Sequence, residues 1–136
     1  LGTTGGCTCL SGAPNEVWSY GEEVYEICKK YLTLRESLRD YTRSVMRQAH
    51  ETGVPVMRTL FTEFPEDTAA WEITDEYCYG SDYLVAPILY GGQRTRSVYL
   101  PKGCAWSELN GGSTYEGGQW IEVPCPLDKI PVFIRK

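Results

Sequence analysis

Val24, Ile27, Tyr31, Leu34, Leu38, Tyr41, Val45 and Ala49 are apolar or aromatic and follow one another at steps of three and four. At the pitch of an α-helix these steps stack the side chains on one face, so residues 22–52 read as helix. Glu22, Glu23 and Glu26 load its start with negative charge, where the helix dipole favours it, and Arg43 and Arg47 place positive charge towards its end. Gly53 suits the position just past the last turn, and Pro55 prevents continuation. A run of about thirty residues has room for a break or kink, expected near Asp40. A one-sided stripe this long needs a large apolar surface to pack on, and little else in the chain is helical.

From Pro55 onward the pattern changes to β. Residues 55–64, 83–90, 95–101, 104–109, 119–124 and 130–135 are the expected strands, separated by Gly91–Gly92, Gly111–Gly112 and Gly117–Gly118, which suit turns with positive φ. The run YLVAPILY (83–90) is apolar on both faces and should be an interior strand covered on each side, with Pro87 marking a bulge or local edge. Residues 65–80 form an acidic, aromatic connector with room for one helical turn. Residues 1–21 are rich in Gly, Thr and Ser and follow neither period, so they read as loop. A loop of that length inside a compact domain is either functional or part of a larger context. The expected fold class is α+β: a long helix followed by an antiparallel β-sandwich.

Composition excludes several function classes. With 136 residues, 42% of them apolar, the chain can form one ordinary domain, or a small domain with an attached helical piece, and it is not a disordered segment. A net charge of −5 with acids and bases interspersed argues against nucleic acid and anionic membranes as partners. The longest apolar run, Tyr83 to Tyr90, is far too short to span a bilayer. Leu1 is followed by no basic or apolar leader and preceded by no methionine, so no signal peptide is expected and the natural N-terminus is expected elsewhere.

Candidate chemistry rests on cysteines, carboxylates, one histidine, a glycine run and aromatics. The six cysteines (7, 9, 28, 78, 104, 125) make no C-x-x-C pair, and Cys7 with Cys9 lacks the second pair of a zinc site, so no metal and no cofactor are expected. Cys28 and Cys78 read as ordinary buried thiols, whereas Cys104 and Cys125 could pair across two strands. Glu66–Asp67 and Asp75–Glu76 are adjacent acids, but adjacency does not set two carboxylates on opposite sides of a scissile bond, and a solvated acidic loop is the expectation. His50 has only Ser37 and Ser44 as serine neighbours, without a nucleophile elbow, and is expected at the helix C-terminus as a favourable cation. Gly2, Thr3, Thr4, Gly5 and Gly6 lack the preceding strand and following lysine of a phosphate loop. Trp18, Tyr20, Trp71, Tyr77, Tyr79, Trp106 and Trp120 could stack on sugars, Trp18 first because it lies in the loop. Trp106 and Trp120 fall inside strands and suit a core.

Several segments resemble, in order, the C-terminal part of the α-glycosidases of glycoside hydrolase family 31. GVPVMRTLFTEFPED (53–67) is similar to the start of the β-domain that follows the catalytic barrel. GSDYLVAPIL (80–89), VYLPKGCAW (98–106), YEGGQWIEV (115–123) and PLDKIPVFIR (126–135) continue the series. Upstream, YLTLRESLRDYTRSVMRQAHETG (31–53) resembles the last barrel helix, and SGAPNEVWSYG (11–21) the stretch leading into it. Asp40 and Thr59 stand where the family often has proline, and CAWSELNGG (104–112) departs from its common pattern.

The resemblance implies that residues 1–54 are a loop and the last helix of a (β/α)8 barrel, and that 55–136 are an incomplete proximal β-sandwich. It implies a parent that hydrolyses α-linked glucosides or xylosides with retention, through a covalent glycosyl–aspartate and without metal. The nucleophile and acid/base aspartates would lie upstream of Leu1, so no catalytic residue carries over to this chain and the substrate-binding residues stay unassigned. Its partners would be the missing barrel and the α-linked oligosaccharide. Two rivals remain: a free-standing carbohydrate-binding module, which needs coplanar exposed aromatics, and a structural domain that offers the helix stripe to a protein partner.

Overall fold

The computed structural model describes residues 16–109 and 111–136, and the chain divides after Tyr41 into two units. The expected loop at 1–21, apart from its last residues, and the readings of Cys7, Cys9 and the Gly2–Gly6 run lie outside the described residues.

In the first unit a 3-10 turn, Val17–Tyr20, leads through Gly21 into α1, Glu22–Ser37. Glu22 and Glu23 lie in the first turn, as the charge pattern predicts. Val24, Ile27, Tyr31 and Leu34 are the less exposed side of this helix, yet no residue of α1 is buried. The expected break falls at Leu38, whose N–H still donates to the Leu34 carbonyl (3.1 Å). The next helix, α2, then starts at Arg39 and runs to Thr52.

The second unit begins at Thr42 within α2. Gly53 ends α2 with φ 77°, its N–H donating to Ala49 (2.9 Å), a left-handed cap that favours glycine. Then come β1 (Met57–Arg58), α3 (Leu60–Glu63), a 3-10 turn (Thr68–Trp71), β2 (Tyr77–Tyr79), β3 (Tyr83–Val85), β4 (Thr95–Leu100), β5 (Ala105–Glu108), β6 (Thr114–Glu116), β7 (Gln119–Pro124) and β8 (Val132–Arg135). Six strands form a sheet in the order β1-β2-β3-β8-β5-β6, and β4 pairs with β7 in a second sheet. All pairings are antiparallel, and β8 enters between β3 and β5. Both sheets feed one core. Leu84 faces Phe133 across the larger sheet, Val98 and Leu100 come from the smaller one, and the Trp106 indole donates to the Pro101 carbonyl (3.0 Å).

The expected strand at 55–64 is corrected: only Met57–Arg58 is strand, and Leu60–Glu63 turn into helix. The expected strand at 83–90 stops at Val85, because Ala86 makes one more bond, to Pro131, and Pro87 has no N–H to continue. It is interior, between β2 and β3's other neighbour β8, with Leu84 fully buried and Tyr83 and Val85 half-buried. The connector at 65–80 contains the expected helical turn and also β2, and β6 is a further strand that the glycine spacing did not reveal. Cys28, Cys78, Cys104 and Cys125 are all free thiols.

Gly117 makes the tightest backbone approach. A Cβ there would collide with the carbonyl oxygens of Pro101 and Cys104, the latter at 2.7 Å, whereas a Cβ on Gly91 meets nothing. Gly117→Ala is therefore expected to destabilise the unit by about 1–3 kcal/mol, the ordinary cost of overpacking, with Gly91→Ala near neutral. Thermal unfolding of both variants checks this, and equal melting temperatures would contradict it.

Candidate functional site

The segment MRTLFTEFPED (57–67) supplies two of the buried charged groups of the second unit, Arg58 and Asp67. Met57 and Arg58 alternate on β1, so Met57 faces outward and Arg58 inward, where it is 4% exposed. A buried guanidinium needs acceptors for its N–H groups, and Arg58 makes four hydrogen bonds. Nε donates to the Pro55 carbonyl (2.8 Å), and Nη1 donates to Glu63 Oε2 (2.7 Å) and Ser81 Oγ (2.8 Å). Nη2 donates to Gln48 Oε1 on α2 (2.9 Å). The other oxygen of Glu63 accepts from Arg135 on β8 (3.2 Å), whose guanidinium lies 4.9 Å from the Phe64 ring centroid. On α2, Thr42, Val45 and Gln48 share a face. Thr42 Oγ1 bonds the Tyr79 hydroxyl of β2 (2.6 Å), Val45 is buried, and Gln48 meets Arg58.

A second cluster surrounds Tyr99. Asp67 Oδ2 accepts from the Tyr99 hydroxyl (2.8 Å) and the Lys102 amide (2.9 Å), and Oδ1 accepts from the Ala69 amide (3.2 Å). Burial alone would raise the Asp67 pKa, but these three hydrogen bonds outweigh it and hold the carboxyl below its ordinary range. Glu76 Oε1 accepts the Tyr99 amide (2.8 Å), while Oε2 is buried without a protein partner among the described residues. Here burial wins over the Tyr99 bond and the nearby Arg96, and the pKa is pushed up to about 7. Arg96 itself is spent on Asp75, through its carbonyl (2.6 Å) and its carboxylate (3.1 Å).

Each adjacent acid pair thus splits, correcting the expectation of a solvated acidic loop: Glu66 and Asp75 are exposed, Asp67 and Glu76 buried. A depression of about 270 Å³ is lined by Glu63, Phe64, Pro65, Glu66, Asp67, Lys102 and Gly103. Of its three acids, Glu63 is committed to two arginines and Asp67 to three donors. His50 is exposed in the last turn of α2, and the Ser37 hydroxyl donates to the Leu34 carbonyl.

The aromatics divide likewise. Trp18, Tyr20 and Trp71 are exposed, Trp71 stacked on Phe61 (centroids 5.0 Å apart) and tied by its N–H to the Pro65 carbonyl. Tyr77 and Tyr79 are half-buried, and Trp106 is core. Trp120, which suited a core by pattern, is 55% exposed and lies against Tyr99. Among the described residues, no three His, Cys, Asp or Glu side chains gather as metal ligands, and no helix is long and apolar enough to cross a membrane. Arg58, Glu63, Arg135 and Tyr99, the hubs of both clusters, were not singled out from sequence; the one available signal was a lone arginine in an otherwise apolar strand start.

Residues 53–136 match the family model described as the glycosyl hydrolase family 31 C-terminal domain. The chain is 56% identical to a solved family 31 α-xylosidase from a soil metagenome, complexed with xylose, with a TM-score of 0.91 over 94% of this chain and 19% of that one. A solved family 31 dextranase of Flavobacterium johnsoniae, complexed with glucose, is 39% identical with a TM-score of 0.88, over 92% of this chain and 15% of that one. Alpha-glucosidase 2 of Bacillus thermoamyloliquefaciens is 38% identical over 89% of this chain and 15% of its own length. The chain therefore spans less than a fifth of each of these relatives.

The two buried carboxylates give opposite pH dependences. Glu76 binds its proton more tightly folded than unfolded, so its contribution is fully present below about 4.5 and is lost as pH rises through about 7. Asp67 is shifted down, so its contribution is present above 3.8 and is lost as pH falls through its lowered folded value. Stability measured by denaturant unfolding is expected to fall by up to about 3 kcal/mol between pH 4.5 and pH 8, and Glu76→Gln should remove most of that slope. An unchanged slope in Glu76→Gln would assign it to another group.

Proposed function

We propose, from the premise that this chain belongs to glycosyl hydrolase family 31, that it is the C-terminal segment of an α-glycosidase and serves that enzyme as scaffold. Residues 1–54 contribute a loop and the last helix of its catalytic barrel, and residues 55–136 its proximal β-sandwich. The partners are the rest of that barrel and an α-linked glucoside or xyloside. The parent hydrolyses this substrate with retention, through a covalent glycosyl–aspartate, using aspartates outside this chain.

The observation that carries this reading is the state of the half-buried Glu63 and the buried Asp67 and Glu76. Retaining hydrolysis needs two carboxyl groups about 5 Å apart across a sugar-sized gap, one of them free to attack and one to shuttle a proton. Glu63 is neutralised by two arginines, Asp67 is saturated by donors and Glu76 faces a strand amide. Each acts as a tie between elements. The apolar stripe of α1, with no buried residue among the described residues, adds support, because a barrel wall is the surface such a helix would need.

The 136-residue chain and its full-length parent are to be assayed side by side on aryl α-glucoside and aryl α-xyloside. Turnover by the parent and none by the chain is the expected result. Turnover by the chain itself, freed of contaminants, would place the reacting carboxylates within it and overturn the scaffold reading.

A further inference from the structure

We infer that Arg58 is a positioning residue of the parent enzyme: it fixes α2 on the β-sandwich and thereby holds one wall of the catalytic barrel in register. The inference rests on the reading that α2 belongs to that barrel. Its basis is the way the second unit includes α2 from Thr42 onward. Thr42, Val45 and Gln48 make one face of α2, and each is engaged: a hydroxyl pair with Tyr79, burial, and a hydrogen bond from Arg58. Thr42 and Gln48 thus bracket Val45 with polar ties to adjacent strands, β2 and β1.

Arg58 reaches four structural pieces from one buried planar group. It meets the segment after α2 at Pro55, α3 at Glu63, the β2–β3 turn at Ser81 and α2 at Gln48. Glu63 passes the tie on to β8 through Arg135. Directional hydrogen bonds to a rigid fork fix position more tightly than apolar contact, which tolerates sliding. A lysine keeps the charge but presents donors from a single nitrogen, so it cannot span these acceptors together. Gln48 is exposed, so truncating it removes the link from Arg58 to α2 while leaving the Arg58–Glu63–Arg135 set in place.

The experiment uses the full-length enzyme with Gln48→Ala, Gln48→Glu and Arg58→Lys, assayed on the better of aryl α-glucoside and aryl α-xyloside well below the melting temperature of each variant. Misplacement of reacting groups by about 1 Å costs up to a hundredfold in rate. Arg58→Lys is therefore expected to lower kcat by about tenfold or more with little change in KM. Gln48→Ala should lower it a few fold, and Gln48→Glu, which restores an acceptor, should recover most of that loss. If both Arg58→Lys and Gln48→Ala lower only the melting temperature and leave kcat and KM unchanged, Arg58 is a fold-stabilising residue and the inference fails. A parent with no activity on either substrate would instead overturn the α-glycosidase reading itself.

Discussion

Burial of the Arg58 guanidinium sets terms that the surrounding chain must meet. Stripping the group of water is costly by several kcal/mol, and the cost is offset only if nitrogens at each corner of the fork find acceptors at good geometry. The acceptors come from a carbonyl, a carboxylate, a hydroxyl and an amide on four separate structural pieces. Such a pair adds little net stability compared with apolar packing, but losing one partner costs about 3–5 kcal/mol. Its consequence is geometric: arrangements that slide β1 or retract Glu63 leave a charge buried alone.

This accounts for the helical turn at Leu60–Glu63. In a continued strand Glu63 would lie about 16 Å from Arg58 and, at an odd offset, on the opposite face. One turn of helix folds Glu63 back to 2.7 Å and keeps Leu60 and Phe64 in the core. The Tyr99 cluster applies the same logic to the smaller sheet. Its β4 strand pairs only with β7 among the described residues, and Tyr99 is held from two ends, the amide by Glu76 and the hydroxyl by Asp67. The two carboxylates differ in how many donors burial left them. Three hydrogen bonds stabilise the Asp67 anion, whereas one bond and a distracted arginine do not compensate Glu76.

What could be read from sequence follows the range of the forces involved. Helix limits, the Gly53 cap, strand β7 and the core role of Trp106 depend on local periodicity and turn chemistry, and these were legible. Residues 55–64 were misread because apolar alternation there suits a strand, and period alone does not say that Arg58 is buried and draws Glu63 back to it. Trp120 was misread because β7 has just one covered face, and period alone does not say which residue occupies it. The inward turn of Asp67 and Glu76 was hidden for a related reason: a carboxylate is buried when donors await it, and its donors lie on β4 and the Lys102 segment. The candidate chemistry was legible mainly as a resemblance, since the fold's buried acids proved to be ties.

The apolar stripe from Val24 to Ala49 carries the same distinction further. It is one pattern in sequence, yet its two parts meet different fates. Val45 on α2 is buried within the β-sandwich unit, while α1 buries none of Val24, Ile27, Tyr31 and Leu34. Periodicity states that a face needs cover and is silent about what supplies it. Leu38, where helical geometry is interrupted, separates α1, with no buried residue among the described residues, from α2, where Val45 is buried. Polar anchors at Thr42 and Gln48 are what give the α2 half a fixed register, because apolar contact alone would let it slide along the sheet.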